Sequence, residues 1–242
     1  MNIYSDSYFH RIRKYEVLPL ILEQGFKVFY CLEEIFRGSG TPSTSIGIPM
    51  VSFCDIPLSY LSKNHYGNFG MAMSRRWGNT KHLEPVLYYP NNKYCQSTKM
   101  VNEAADNFIS NRKKTDAYRI LGYSKPMTKP TKKEGQSSDN YVEREWRKVY
   151  ANRGHTKWLT EGEFERYRGE HNSPKRPIAN PLKFKIEDVD LVLVDKQNVQ
   201  KLQEFIMNKM SHLGGNTDKV TDEERWVLLS KILVYEDLMR NL

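Results

Sequence analysis

Apolar and polar positions along the chain alternate at two periods, and together they predict an α+β fold. Tyr8 to Ile12 reads as a short strand. Val17, Leu18, Ile21 and Leu22 then fall at helical spacing and predict a helix over about 14–24. Proline is tolerated only in the first turn, so Pro19 moves the start to near Glu16, and Gly25 closes the helix. Phe26 to Cys31 is read as a strand. Arg37 to Ile48 is rich in turn formers and is read as a loop. Pro49 to Cys54 follows as a buried strand, by its length and its β-branched and aromatic content. A helix from Pro57 to about Tyr66 is expected next, with Asp55 as its N-cap and Gly67 at its end.

Asn68 to Ser74 and Pro85 to Tyr89 predict two more strands, separated by a turn at Trp77-Gly78-Asn79. Tyr94 to Tyr123 is mixed and mainly helical. Ser124 to Asn140 holds two prolines, four lysines and Met127 as its one strong apolar residue, and is read as a flexible basic loop. Tyr141 to Tyr150 returns to strand character, and a short helix is expected near Glu161 to Arg168. Leu182 to Ile186 and Val189 to Val194 read as strands. Two helices follow, over about 198–210 and 222–240. The capping box Thr221-x-x-Glu224 opens the second, and Trp226, Leu229, Ile232, Leu233 and Leu238 form one apolar stripe along it. This stripe reads as core packing, with a partner surface as the alternative.

The sum is a compact mixed or antiparallel sheet of six to eight short strands with flanking helices. It lacks the regular βαβα order of a doubly wound sheet. Residues 1–210 are expected to form a single α+β domain carrying the basic loop near 124–140, with a C-terminal helix in 211–242 packed on it.

Composition narrows the class. The 242 residues include 15 Tyr, 10 Phe and 4 Trp, too many aromatics for a disordered chain. No apolar run approaches the roughly 18–20 residues that span a bilayer, and charges occupy the place of a signal peptide's apolar core. Three cysteines, Cys31, Cys54 and Cys95, match no zinc spacing. The expectation is a cytoplasmic protein with reduced cysteines and no membrane contact. The 37 Lys and Arg against 29 Asp and Glu give a formal charge of +8. That balance suits a nucleic acid or another polyanion as partner, or reflects no target at all. Much of it falls in 112–133 and 144–176, which predicts a basic rim on either side of Glu143 to Arg147.

P-loop, GxGxxG, HExxH and GxSxG motifs are absent, and the six histidines have no ligand spacing, so no metal is expected. Three places hold candidate chemistry. His10, on an aromatic strand, is placed to orient a ligand or to serve as a half-buried structural histidine. His65 and Tyr66 lie at a predicted helix end before a glycine turn, where a histidine is also favourable for structural reasons. Glu143, Glu145 and Arg147 share one face of a predicted strand. Two carboxylates there repel unless a cation compensates, and Arg147 is placed to do so. Such a pair suits a ribose hydroxyl or a cationic transition state, or else a solvated edge strand.

The order of these blocks carries a resemblance. It runs Phe9-His10, then ILEQGF, IPMVSFCDIPLS, HYGNFGM and PVLY, and then Glu143-Arg144-Glu145-Trp146-Arg147. Over roughly residues 8 to 206 the chain resembles the AbiGi family of bacterial abortive-infection proteins, which are described as antitoxin partners. The family also looks distantly like the ADP-ribosyltransferase fold. That likeness implies NAD as a possible substrate, with His10 holding the ribose, Glu145 as the catalytic carboxylate and Glu143 orienting the acceptor. Tyr66, or the strand-borne Ser52, would contact the nicotinamide side, and Arg147 would join the cofactor-holding set. The acceptor would be a nucleic acid or a protein. Two functions follow as expectations: an ADP-ribosyltransferase-like enzyme of phage defence, and a non-enzymatic antitoxin or regulator that binds a toxin partner, nucleic acid or both.

Overall fold

The computed structural model describes residues 6–36, 43–57, 67–110, 115–130, 137–150, 157–169 and 177–240. The chain divides into two compact units of interleaved segments. Unit 1 holds Met1–Lys27, Ser52–Leu83 and Asn180–Leu242, and unit 2 holds Val28–Val51 and Glu84–Ala179. Both mix helices with mostly antiparallel strands, as the α+β pattern predicts.

In unit 1, β1 (Ser7–Ile12) pairs antiparallel with β4 (Phe69–Ser74), His10 standing opposite Met71. β4 pairs antiparallel with β12 (Val189–Val194), and β12 pairs in parallel with β13 (Ile232–Val234). On the other side of β1, Phe9 pairs with Cys54 at the end of β3 (Thr44–Cys54). β4 is buried along nearly its whole length, which suits its continuous run FGMAM in the interior of the ladder. Gly70 has no room for a side chain, because the Phe9 ring occupies the place of its Cβ. Helix α1 (Val17–Gln24) buries Leu18, Ile21 and Leu22. It ends at Gly25, whose φ of 75° favours glycine. α2 (Arg75–Thr80) follows β4, and α6 (Val199–Asn208) buries Leu202 and Ile206.

In unit 2, β2 (Phe29–Ile35) pairs antiparallel with β3 from Phe29 opposite Met50 to Ile35 opposite Thr44. β10 (Glu145–Val149) lies next to β3 and pairs with β5 (Glu84–Pro85), while β11 (Leu159–Thr160) pairs with Gly47 and Ile46. β6 (Leu87–Tyr89) runs parallel to β7 (Ser124–Pro126), and β8 (Thr128–Pro130) runs antiparallel to β9 (Ser137–Asp139). The core gathers Ile35, Ile46, Ile48, Tyr89, Phe108 and Trp158 beneath α3 (Gln96–Ser110) and α4 (Thr115–Gly122). α5 (Glu161–Gly169) follows β11 directly.

Several elements differ from the sequence pattern. The basic loop 124–140 contains β7, β8 and β9, with 131–136 outside the described residues. Two short pairings, β7 with β6 and β8 with β9, order the described part of a stretch whose composition has no apolar period. The loop read over 37–48 becomes strand from Thr44 onward. Leu182 to Ile186 is not a strand: Leu182 makes one bridge to Phe26, and a 3-10 turn begins at Ile186. The turn at 77–79 lies within α2, which Ser74 caps by accepting from the Trp77 N–H. Residues 222–240 do not form one helix. They divide into α7 (Asp222–Ser230), β13 and α8 (Tyr235–Arg240), because Ile232–Val234 finds a strand partner in β12. All of the helix expected over 57–66 except Pro57 lies outside the described residues, His65 and Tyr66 included.

Candidate functional site

The residues with chemical potential fall into two groups, one in each unit. In unit 2 the chain approaches β10 through a 3-10 turn at Tyr141–Glu143, and Arg144 then adopts left-handed backbone, with φ 44° and ψ 54°. Glu143 is therefore not on the strand, a correction to the predicted shared face. From Glu145 onward the alternation holds, with Glu145, Arg147 and Val149 pointing inward.

Arg147 is fully buried. Its Nε donates to Glu145 Oε1 at 2.7 Å and its Nη2 to Glu145 Oε2 at 2.9 Å, a bidentate pair. Nη2 also donates to Glu33 Oε2 at 2.8 Å, and Nη1 to the Gly122 carbonyl at 3.1 Å. Lys125 Nζ joins the network, donating to Glu143 Oε2 at 2.6 Å and Glu145 Oε2 at 2.9 Å. Glu143 in the turn and Glu145 on the strand thus meet at one ammonium. The Tyr88 hydroxyl accepts from the Glu145 N–H at 2.9 Å, and its ring meets Tyr141 edge-on at 5.3 Å.

Burial alone would lower the basicity of both cations. For Lys125 the carboxylates of Glu145, Glu33 and Glu143 outweigh it, and for Arg147 those of Glu145 and Glu33 do. Both cations stay charged across the physiological range. Burial raises the Tyr88 pKa, so its hydroxyl stays protonated.

In unit 1, His10 lies among aromatic rings, 5.1 Å from Phe26 and 5.4 Å from Phe53 between centroids. Its Nδ1 donates to the Ser52 carbonyl at 2.8 Å, which leaves Nε2 as the unprotonated nitrogen of a neutral ring. Burial lowers its pKa, against the opposing pull of the Ser52 hydrogen bond. Phe26 continues the cluster to Trp77 and Phe184. Asp55, read as a helix cap, is buried and pairs with Arg75 at 2.5 Å, and Arg75 stacks over Tyr8.

The structure therefore brings His10 together with the backbone of Ser52, and Glu143 and Glu145 together with Lys125 and Arg147. His10 belongs to one unit and the glutamates to the other. Sequence reasoning missed Lys125, Glu33 and Tyr88. The inward-facing Arg147 signals that several acceptors and a second cation are needed, but not which residues supply them.

Unit 2 carries 20 Lys and Arg against 14 Asp and Glu, an excess of six in the chain's +8. Of the predicted basic rim, Arg112, Lys113, Lys114, Lys132, Lys133, Arg153, Lys175 and Arg176 lie outside the described residues. Among the described residues, no group of three or more His, Cys, Asp or Glu is arranged for a metal, and no helix is long and apolar enough to cross a membrane.

Comparison with known proteins gives two matches. The family model described as "Putative abortive phage resistance protein AbiGi, antitoxin" matches residues 24–195. The chain is 24% identical over 234 residues to the abortive phage resistance protein AbiGi of Lactococcus lactis subsp. cremoris, covering 82% of this chain and 90% of that protein. No solved structure matches significantly.

Proposed function

The chain belongs to the AbiGi family of abortive phage resistance proteins, and from that premise we propose that it acts in phage defence as an antitoxin, binding a toxic protein partner. What carries this reading is the match to a family described as an antitoxin, and it agrees with the state of Glu145. Both of its carboxylate oxygens accept from Arg147, and one also accepts from Lys125. A carboxylate that is to hold a ribose hydroxyl in a transition state works best when its oxygens are directed at the substrate. Here they are already engaged, by Arg147 of the same strand and by Lys125 of β7. The test is co-expression with the toxic protein of the same defence system. Wild type restores growth and co-purifies with the toxin, and an antitoxin role ends if it does neither.

A second reading keeps the ADP-ribosyltransferase-like NAD site. Its support is the convergence of Glu143 and Glu145 on one ammonium, with His10 carried on a strand. In that reading Glu145 exchanges its bond to Lys125 for the ribose 2′-hydroxyl while Arg147 continues to orient it. NAD titration against wild type and Glu145→Gln decides it. The reading expects binding or turnover in wild type that is lost in the variant, and it fails if wild type neither binds nor consumes NAD.

A further inference from the structure

Helix α7 is held from one side and bare on the other. Thr221 and Glu224 form its capping box, Leu228 is fully buried, and Arg225 donates to the carbonyls of Ile206 and Met210. These contacts fix the helix without its outer face. That face carries Asp222, Glu223, Trp226, Val227 and Ser230, which fall at i, i+1, i+4, i+5 and i+8 and so form one stripe. Trp226 is 62% exposed and Val227 37%, while Trp77 and Trp158 are buried. The apolar stripe expected along one long helix therefore splits: its Ile232 and Leu233 pass to β13, and Trp226 turns outward.

We propose that this face of α7 is the docking surface for a protein partner whose own surface is basic and offers an apolar pocket. The proposal deepens the antitoxin reading and rests on it, the partner being the toxin. Tryptophan is enriched among the few side chains that dominate protein interfaces, and a helix already fixed loses little freedom on binding. The charge of the stripe selects the occupant. Glu223 and Asp222 stand beside Trp226; Asp222 is 93% exposed and lies 3.7 Å from the mostly covered Arg225, so the exposed charge of the stripe is acidic, attracts a basic surface and repels nucleic-acid phosphates. A second copy seated here would make a head-to-tail contact between this stripe and the basic part of another chain, and it is an outcome of the test. The helix also lies outside the residues 24–195 that the family model matches.

The test uses the full chain with a photocrosslinking amino acid at position 227, irradiated in the cell, with a chain labelled at the exposed Tyr141 for comparison. The protein captured from 227 is identified, purified and titrated against wild type, Trp226→Ala and the double reversal Asp222→Lys with Glu223→Lys. Circular dichroism verifies that all three chains fold alike. The proposal expects a basic captured protein that inhibits growth alone, with affinity falling at least tenfold in each variant. It is overturned by no adduct, by an adduct with a second copy or with nucleic acid, or by affinity unchanged in both variants. Capture of the toxin from 141 alone overturns this docking face while the antitoxin reading stands, and failure of wild type to bind the toxin in any form overturns both.

Discussion

The two units solve the problem of a buried polar group in opposite ways. Unit 1 places His10 among Phe26 and Phe53 and keeps it neutral. Unit 2 buries a full guanidinium and surrounds it with charge: Glu33, Glu145, Lys125 and, through Lys125, Glu143. The first arrangement rests on ring packing and one hydrogen bond to a carbonyl. The second rests on ions, which are costly to bury singly and tolerable only together. A candidate residue of the right type and spacing for chemistry can therefore already be satisfied by its own unit. For Glu145 that satisfaction is nearly complete, and for His10 it leaves Nε2 as the ring nitrogen not bonded to Ser52.

The largest expected effect separates the two designs. Arg147→Met leaves carboxylates buried without their central cation and should cost about 3–5 kcal/mol in urea unfolding. A loss below about 1 kcal/mol would mean that the network relaxes into water. The matching lesion in unit 1, Phe26→Ala, removes an aromatic ring that is 1% exposed and should also cost about 3–5 kcal/mol, through a cavity rather than a stranded charge. Glu145→Gln keeps the shape but not the charge, and should cost about 2 kcal/mol. Unchanged unfolding in that variant would free Glu145 for another role.

A smaller effect lies in pH. The folded-state pKa of His10 is lowered from 6.5, so the unfolded chain takes up the proton first as pH falls. The contribution of the neutral ring is complete above about pH 6.5 and declines below it. Denaturation midpoints compared between pH 7.5 and 5 should fall more steeply for wild type than for His10→Gln, and parallel curves would remove His10 from the core of unit 1. The smallest effect tests the surface: Glu165→Ala breaks an exposed pair with Arg168 at 3.7 Å and should shift stability by less than about 0.5 kcal/mol.

Much of this contrast was legible in the sequence. Alternation alone placed Glu145 and Arg147 on one face, and the run Tyr8 to Ile12 placed His10 on a strand. The partners were not legible, because Lys125 and Glu33 come from 20 and 114 residues away in sequence. Local pattern has no access to such distances. Arg144 hid its left-handed backbone, since nothing marks a non-glycine residue for that region. Ile232 to Val234 fit a helical stripe as readily as a strand, and pairing with Val192 to Val194 decided between them. Trp226 followed the same misreading, and its exposure became visible only when the helix ended at Ser230.

The interleaving of segments has a consequence for the order of folding during synthesis. Unit 2 needs nothing beyond residue 179, whereas unit 1 joins residues 1–27 to a segment that runs to 242. β1 gains β4 early, but β4 must wait for β12, more than a hundred residues later. A strand with an open edge is exposed to mispairing for that interval. The half of the molecule begun first is the half completed last.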